Sequence, residues 1–219
     1  DGKLIYYTSD EDDEFKQLYT YDVESGRKTN LTPDLRWDIA GVSLSDDGKY
    51  LAYTMNEDGI STLHVFTMPG MKPVIFDPIP VGLIGGLSFS PDNTSLALSI
   101  NAASSPTDVH VLSLATGALM RWTYSEVGGL NTGEFSSPEL VHYPTFDEVD
   151  GAPRQIPAFV YKPAASGDRL PVIISIHGGP EGQSRPYFSS TTQYWVNELG
   201  CAVIFPNVRG STGYGKTWL

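Results

Sequence analysis

The apolar positions of this chain fall into short runs that repeat. Asp1-Gly2-Lys3-Leu4-Ile5-Tyr6-Tyr7-Thr8 is echoed by Asp47-Gly48-Lys49-Tyr50-Leu51-Ala52-Tyr53-Thr54 and by Asp92-Asn93-Thr94-Ser95-Leu96-Ala97-Leu98-Ser99, at offsets of 46 and 45 residues. A second apolar run follows each at the same phase, over residues 18–23, 63–68 and 109–114, and a glycine closes each at Gly26, Gly70 or Gly117. Residues 39–45 and 84–90 add a run before two of the Asp turns. The runs are rich in β-branched and aromatic residues and bounded by turn residues, which predicts strands. Asp-Gly and Pro-Asp-Asn suit tight hairpin turns, because they tolerate positive φ or cap the turn with a side chain.

Several short strands per unit of about 45 residues predict β-propeller blades. A single blade cannot bury both faces, so blades need neighbours. Three blades do not close a ring. The expectation is a partial β-propeller of about three blades over residues 1–139, either lacking upstream blades or forming an open fragment.

The repeat is lost over residues 121–155, where Gly128-Gly129, Ser136-Ser137-Pro138 and Asp150-Gly151-Ala152-Pro153 suggest final blade strands and a crossing. Residues 156–163 then read as a strand and 164–169 as a polar loop. Residues 171–176 are apolar at every position but Ser175, which predicts a strand covered on both faces of a mainly parallel sheet. Residues 189–199 predict a helix, opened by Ser and Thr and closed by Gly200. Residues 201–206 give another strand. This strand–helix–strand unit, expected to cross right-handed, places a second domain at residues 140–219.

Charge follows the same division. The net charge is −12, with 26 acidic and 14 basic residues. Residues 1–139 hold 20 acids and 8 bases, and the remainder holds 6 of each. This argues against a nucleic-acid partner, which needs a basic footprint. Solubility explains the acidity, and a field favouring cationic ligands is the sharper alternative. The acidic run at residues 10–14 reads as a solvated loop, because it lacks the glycine and distal Glu of a calcium loop. His64 and His110 occupy equivalent repeat positions and read as structural; His142 reads as a packing or surface residue without a partner. Cys201 is the only cysteine, so no intrachain disulfide forms. No apolar run approaches 18 residues, so no membrane span is expected.

Two motifs carry the chemistry. The strand at 171–176 delivers His177-Gly178-Gly179-Pro180. The strand at 201–206 delivers Asn207-Val208-Arg209-Gly210-Ser211-Thr212-Gly213-Tyr214-Gly215. Together with the upstream repeat and Ile156-Pro157-Ala158-Phe159-Val160-Tyr161-Lys162-Pro163, they resemble the prolyl oligopeptidase family of serine peptidases, closest to its acylaminoacyl-peptidase branch. The resemblance covers essentially the whole chain. It implies the start of an α/β-hydrolase domain after the propeller, a Ser-His-Asp triad, and acyl transfer on short or N-acylated peptides admitted past the propeller. It implies no cofactor and no metal, a short peptide as partner, a cytoplasmic location, and leaves room for a homo-oligomer in the intact parent. A non-catalytic propeller binder and an esterase of the same fold are the alternatives.

Carried over residue by residue, Gly179 is the expected oxyanion donor, with His177 and Gly178 shaping its turn. Arg209 and Tyr214 are expected to line the substrate site, with a structural hydrogen-bonding role for Arg209 equally open. The departure from the family is large. No Gly-x-Ser-x-Gly occurs, and Arg209-Gly210-Ser211-Thr212-Gly213 has Arg where the first small residue belongs, so Ser211 is not expected to be the nucleophile. The triad Asp and His should follow the nucleophile in chain order and are expected outside this chain, which is therefore expected to be inactive alone.

Overall fold

The computed structural model describes residues 2–149, 151–164, 169–179 and 181–219. Strands β1 (Leu4–Ser9), β2 (Gln17–Asp22) and β3 (Lys28–Asn30) form a three-stranded antiparallel sheet. Strands β4 (Asp38–Leu44), β5 (Tyr50–Glu57), β6 (Ile60–Thr67) and β7 (Lys72–Pro73) form a four-stranded meander. Strands β8 (Gly82–Phe89), β9 (Ser95–Ala102), β10 (Ser105–Ser113) and β11 (Leu119–Arg121) repeat it. These are blades of a partial propeller. β1, β5 and β9 stand at the predicted offsets.

The turn chemistry repeats with the strands. Before β5, Asp47 Oδ1 accepts from Ser45 Oγ at 2.8 Å and from the Lys49 N–H at 3.0 Å. Before β9, Asp92 Oδ1 accepts from Ser90 Oγ at 2.6 Å and from the Thr94 N–H at 3.1 Å. Apolar residues between adjacent sheets make the core. Leu18, Ile39, Leu51, Tyr53 and Met55 join the first two blades, and Leu63, Val65, Ile84, Leu96, Leu98 and Leu112 join the second and third.

The fourth sheet combines β12 (Glu139–Val149), β13 (Ala152–Tyr161), β14 (Val172–Ile174) and β15 (Ala202–Pro206) in the order β12-β13-β15-β14. Only β14 and β15 are parallel. Helix α1 (Ser190–Asn197) links them, with the Ser189 hydroxyl accepting from the Thr192 N–H as N-cap. Its Val196 packs with Phe159, Tyr161 and Val203, and Ile173 joins this cluster.

The apolar run at 171–176 departs from expectation. Strand β14 is three residues long, and Val172, Ile174 and Ile176 are 55%, 62% and 68% exposed. Alternate residues of a strand face opposite sides. Helix α1 covers one side, and among the described residues nothing covers the other.

Three repeat-equivalent positions tie the blades to the segment after β14. The Asp10 carbonyl takes the Lys216 ammonium. Asn56 Nδ2 donates to Gln183 Oε1 at 2.8 Å. Asn101 Oδ1 accepts from the Phe188 N–H at 2.7 Å. These positions differ by the repeat offsets of 46 and 45, so one hairpin end serves one purpose in every blade. The β5–β6 turn reaches furthest. Asp58 and Gly59 have φ of 51° and 86°, the positive values that an Asp-Gly hairpin turn needs. A Cβ on Gly59 would lie 2.9 Å from the Phe159 ring, and the Gly59 carbonyl accepts from Arg185 Nε at 2.8 Å.

Gly59→Ala is therefore expected to destabilise the chain by roughly 2–4 kcal/mol, combining left-handed strain with overpacking. Gly48→Ala is the control, because Gly48 also has positive φ but no atom within 4 Å of its would-be Cβ. Urea denaturation should show the larger loss for Gly59→Ala; equal losses would contradict the packing role.

Asp108 supports a second test. It is buried in the third blade, accepting from Thr123 Oγ1 at 2.7 Å and the Ser125 N–H at 2.9 Å, with Arg121 paired to it. Burial pushes its pKa up, but the bonds from Thr123 and Arg121 outweigh this and hold the carboxyl below its ordinary 3.8. The stabilisation is complete above that ordinary value and is lost as pH falls through the lowered one. Acid titration of stability should show a steeper loss in the native chain than in Asp108→Asn; matching slopes would contradict this.

Candidate active site

The turn after β14 requires its glycines. Gly179 has φ of 145°, and a Cβ there would sit 2.6 Å from the Glu181 nitrogen. Gly182 leaves room for the His177 ring, whose Nδ1 lies 2.9 Å from its would-be Cβ. Among the described residues, the N–H groups of Gly178 and Gly179 donate no hydrogen bond, and both residues are exposed. Two adjacent free N–H groups at the end of a parallel strand can receive an anion. Pro180 lies outside the described residues.

Ser211 sits 2.9 Å from His177 Nε2, the spacing of a nucleophile and its base. The direction of the bonds is wrong for that role. Ser211 Oγ is 2.6 Å from the Val208 carbonyl, which can only accept, so the hydroxyl donates there and meets His177 Nε2–H as an acceptor. Ser211 is also fully buried. It is a brace between the two motifs, and the Thr212 N–H adds a bond to the Gly182 carbonyl at 2.9 Å.

Arg209 turns toward β12, where Nη1 lies 3.3 Å from Asp147 Oδ2 and the guanidinium stacks 4.8 Å over Phe146. Arg154 shares Asp147 at 3.1 Å. Tyr214 points inward. Its hydroxyl accepts from Asn207 Nδ2 at 2.8 Å. Burial first, and then the neighbouring Asp58 charge, push its phenol above the ordinary value, so it stays protonated. The structure thus joins His177, Gly178 and Gly179 to the loop after β15 through Ser211, while Arg209 serves an ion pair on another strand.

Several residues that organise this region have contacts that the sequence did not assign. Asn207 is fully buried, accepts from the Ser184 N–H at 2.7 Å and donates to the Ser184 carbonyl at 3.0 Å, so its amide copies a backbone strand. Arg185 reaches the Gly59 carbonyl and Ser61 Oγ. Glu14, in the acidic run, accepts from the Thr217 N–H and hydroxyl at 2.6 and 2.7 Å. That run is a clasp on the chain beyond Gly215, not only a solvated loop. His142 has a partner after all, with Nε2 2.7 Å from Asp58 Oδ2. His64 stacks 4.9 Å from Tyr53. Among the described residues no cluster of His, Cys, Asp and Glu could hold a metal, and no helix is long and apolar enough to cross a membrane.

The arrangement is a set of propeller blades held against the chain that follows an exposed glycine turn with free N–H groups. Comparison with known proteins shows what it is similar to. The homologues of this chain are serine peptidases of the prolyl oligopeptidase family. Dipeptidyl aminopeptidase BIII of Pseudoxanthomonas mexicana is 24% identical over 232 residues, covering 99% of this chain and 32% of that protein. Prolyl oligopeptidase A of Galerina marginata is 23% identical, covering 99% of this chain and 29% of that protein. No family model matches the chain. Among solved structures, a prolyl endopeptidase matches with a TM-score of 0.80 at 22% identity, covering 99% of this chain and 32% of its own. Prolyl oligopeptidase B from Galerina marginata, bound to a 35-residue substrate, matches with a TM-score of 0.82 at 16% identity, covering 100% of this chain and 31% of its own. The chain spans about a third of the length of the relatives it matches.

Asn207→Ala should destabilise the chain by roughly 3–5 kcal/mol, because it leaves buried groups of Ser184 and Tyr214 without their bonds. Denaturation midpoints measure this; a loss below about 1 kcal/mol would remove Asn207 from its organising role.

Proposed function

We propose that this chain is the junction of a serine peptidase, with partial propeller blades over residues 1–139 and the start of an α/β-hydrolase domain over residues 140–219. The intact protein hydrolyses short or N-acylated peptides by acyl transfer. The free N–H of Gly179 in its glycine-only turn carries this reading. Hydrogen-bond donors held ready where negative charge develops stabilise the tetrahedral oxyanion, and each is worth a few kcal/mol. His177 shapes the turn and is held by Ser211. The triad lies outside this chain, which contains no Gly-x-Ser-x-Gly.

A fluorophosphonate probe should leave the 219-residue chain unlabelled, and stoichiometric labelling of Ser211 would overturn this assignment. In the longer protein, Gly179→Ala keeps the N–H but forces the turn to shift, because its Cβ would sit 2.6 Å from the Glu181 nitrogen, and should lower kcat about 10²–10³-fold with a smaller effect on KM, the signature of a misplaced oxyanion donor. An unchanged kcat would remove Gly179 from that role.

A further inference from the structure

One cleft of about 350 Å³ lies apart from the glycine turn, between the first two blades and the loop after β15. Phe15 and Trp37 line it from the blades, and Tyr214 and Trp218 from the chain after β15. The four rings touch in series, with centroids 6.1, 6.0 and 5.1 Å apart. Asp58 lines the same cleft, with its side chain only 15% exposed. Its Oδ2 faces His142 at 2.7 Å, while its Oδ1 is buried and meets no donor in full hydrogen-bond geometry, the Tyr214 hydroxyl being the protein group that interacts with this carboxylate.

A buried carboxylate oxygen without a donor is costly, and such an atom in a native site calls for an explanation. Aromatic faces attract organic cations, most strongly where water is excluded. A group that is both cationic and apolar meets both demands. A metal ion would gain nothing from the rings, and a neutral ligand would bring no charge to the carboxylate. The volume is enough for a small headgroup with its chain. The acid-rich blades around the cleft add a field of the right sign.

We propose that this cleft binds an alkylammonium group, with the rings of Phe15, Trp37, Tyr214 and Trp218 as its walls and Asp58 as its counter-ion. The assignment does not depend on the peptidase reading. In a peptide, the group is carried by a lysine side chain or a free N-terminus. Arg36 lines the same cleft, is exposed, and makes no ion pair or hydrogen bond among the described residues. Its charge opposes the ligand and tunes the affinity downward.

The test is calorimetric titration of the chain with choline and with 3,3-dimethylbutan-1-ol, which has the same shape without the charge. Choline should bind at least tenfold more tightly. Asp58→Asn should abolish that preference; Asn tolerates the positive φ at this turn, so the fold should persist. Arg36→Ala, a surface change, should tighten choline binding several-fold. Equal binding of the two compounds, or an Asp58→Asn variant with undiminished preference, would overturn the proposal, as would Arg36→Ala weakening choline. Nα-acetyl-lysine methylamide and alaninamide then distinguish a side-chain ammonium from an N-terminal one, and the absence of binding by both would overturn the peptide source.

Discussion

The fit of one hairpin turn against one aromatic ring governs how the rest of this molecule is arranged. Asp58 and Gly59 can approach Phe159 only because Gly59 lacks a side chain and both residues adopt positive φ. That approach brings the Gly59 carbonyl to Arg185, Asn56 to Gln183, and Asp58 to His142. Burial lowers the pKa of the Arg185 guanidinium, an expense its two hydrogen bonds to the turn offset. Segment 183–188 is thereby fixed on the blades. Asn207 passes that constraint to the loop after β15, and Ser211 passes it on to His177.

The chain of contacts explains which parts of the fold were legible from sequence. The blades were legible because their information is local: strand patterning, Asp-Gly and Pro-Asp-Asn turns and a fixed period. Helix α1 and its Ser189 cap were legible for the same reason. The docking contacts were not, because each joins residues far apart in sequence, 84 for His142–Asp58 and 127 for Asn56–Gln183. A repeat-level signal did exist. Asp10, Asn56 and Asn101 occupy one equivalent position, each polar at a hairpin end, and each contacts the second segment. Read together, they mark a docking face that no single one suggests.

The glycine turn was legible as a motif, and its physical requirement is now specific to Gly179, whose would-be Cβ collides with the following backbone. Ser211 teaches the opposite lesson. Its distance to His177 alone imitates a catalytic pair, and only the bond to the Val208 carbonyl separates brace from nucleophile. The exposed face of β14 has a similar origin: an apolar run signals burial but cannot say whether the covering element lies within the same chain.

The central claim is that the β5–β6 turn positions the segments carrying the candidate site. Native-state hydrogen exchange on Arg185→Gln tests it most directly. The account predicts that amides of 183–188 and 208–216 lose protection together, while those of β9 and β10 in the third blade keep theirs. Unchanged protection at 208–216, or a uniform loss through the third blade, would contradict it.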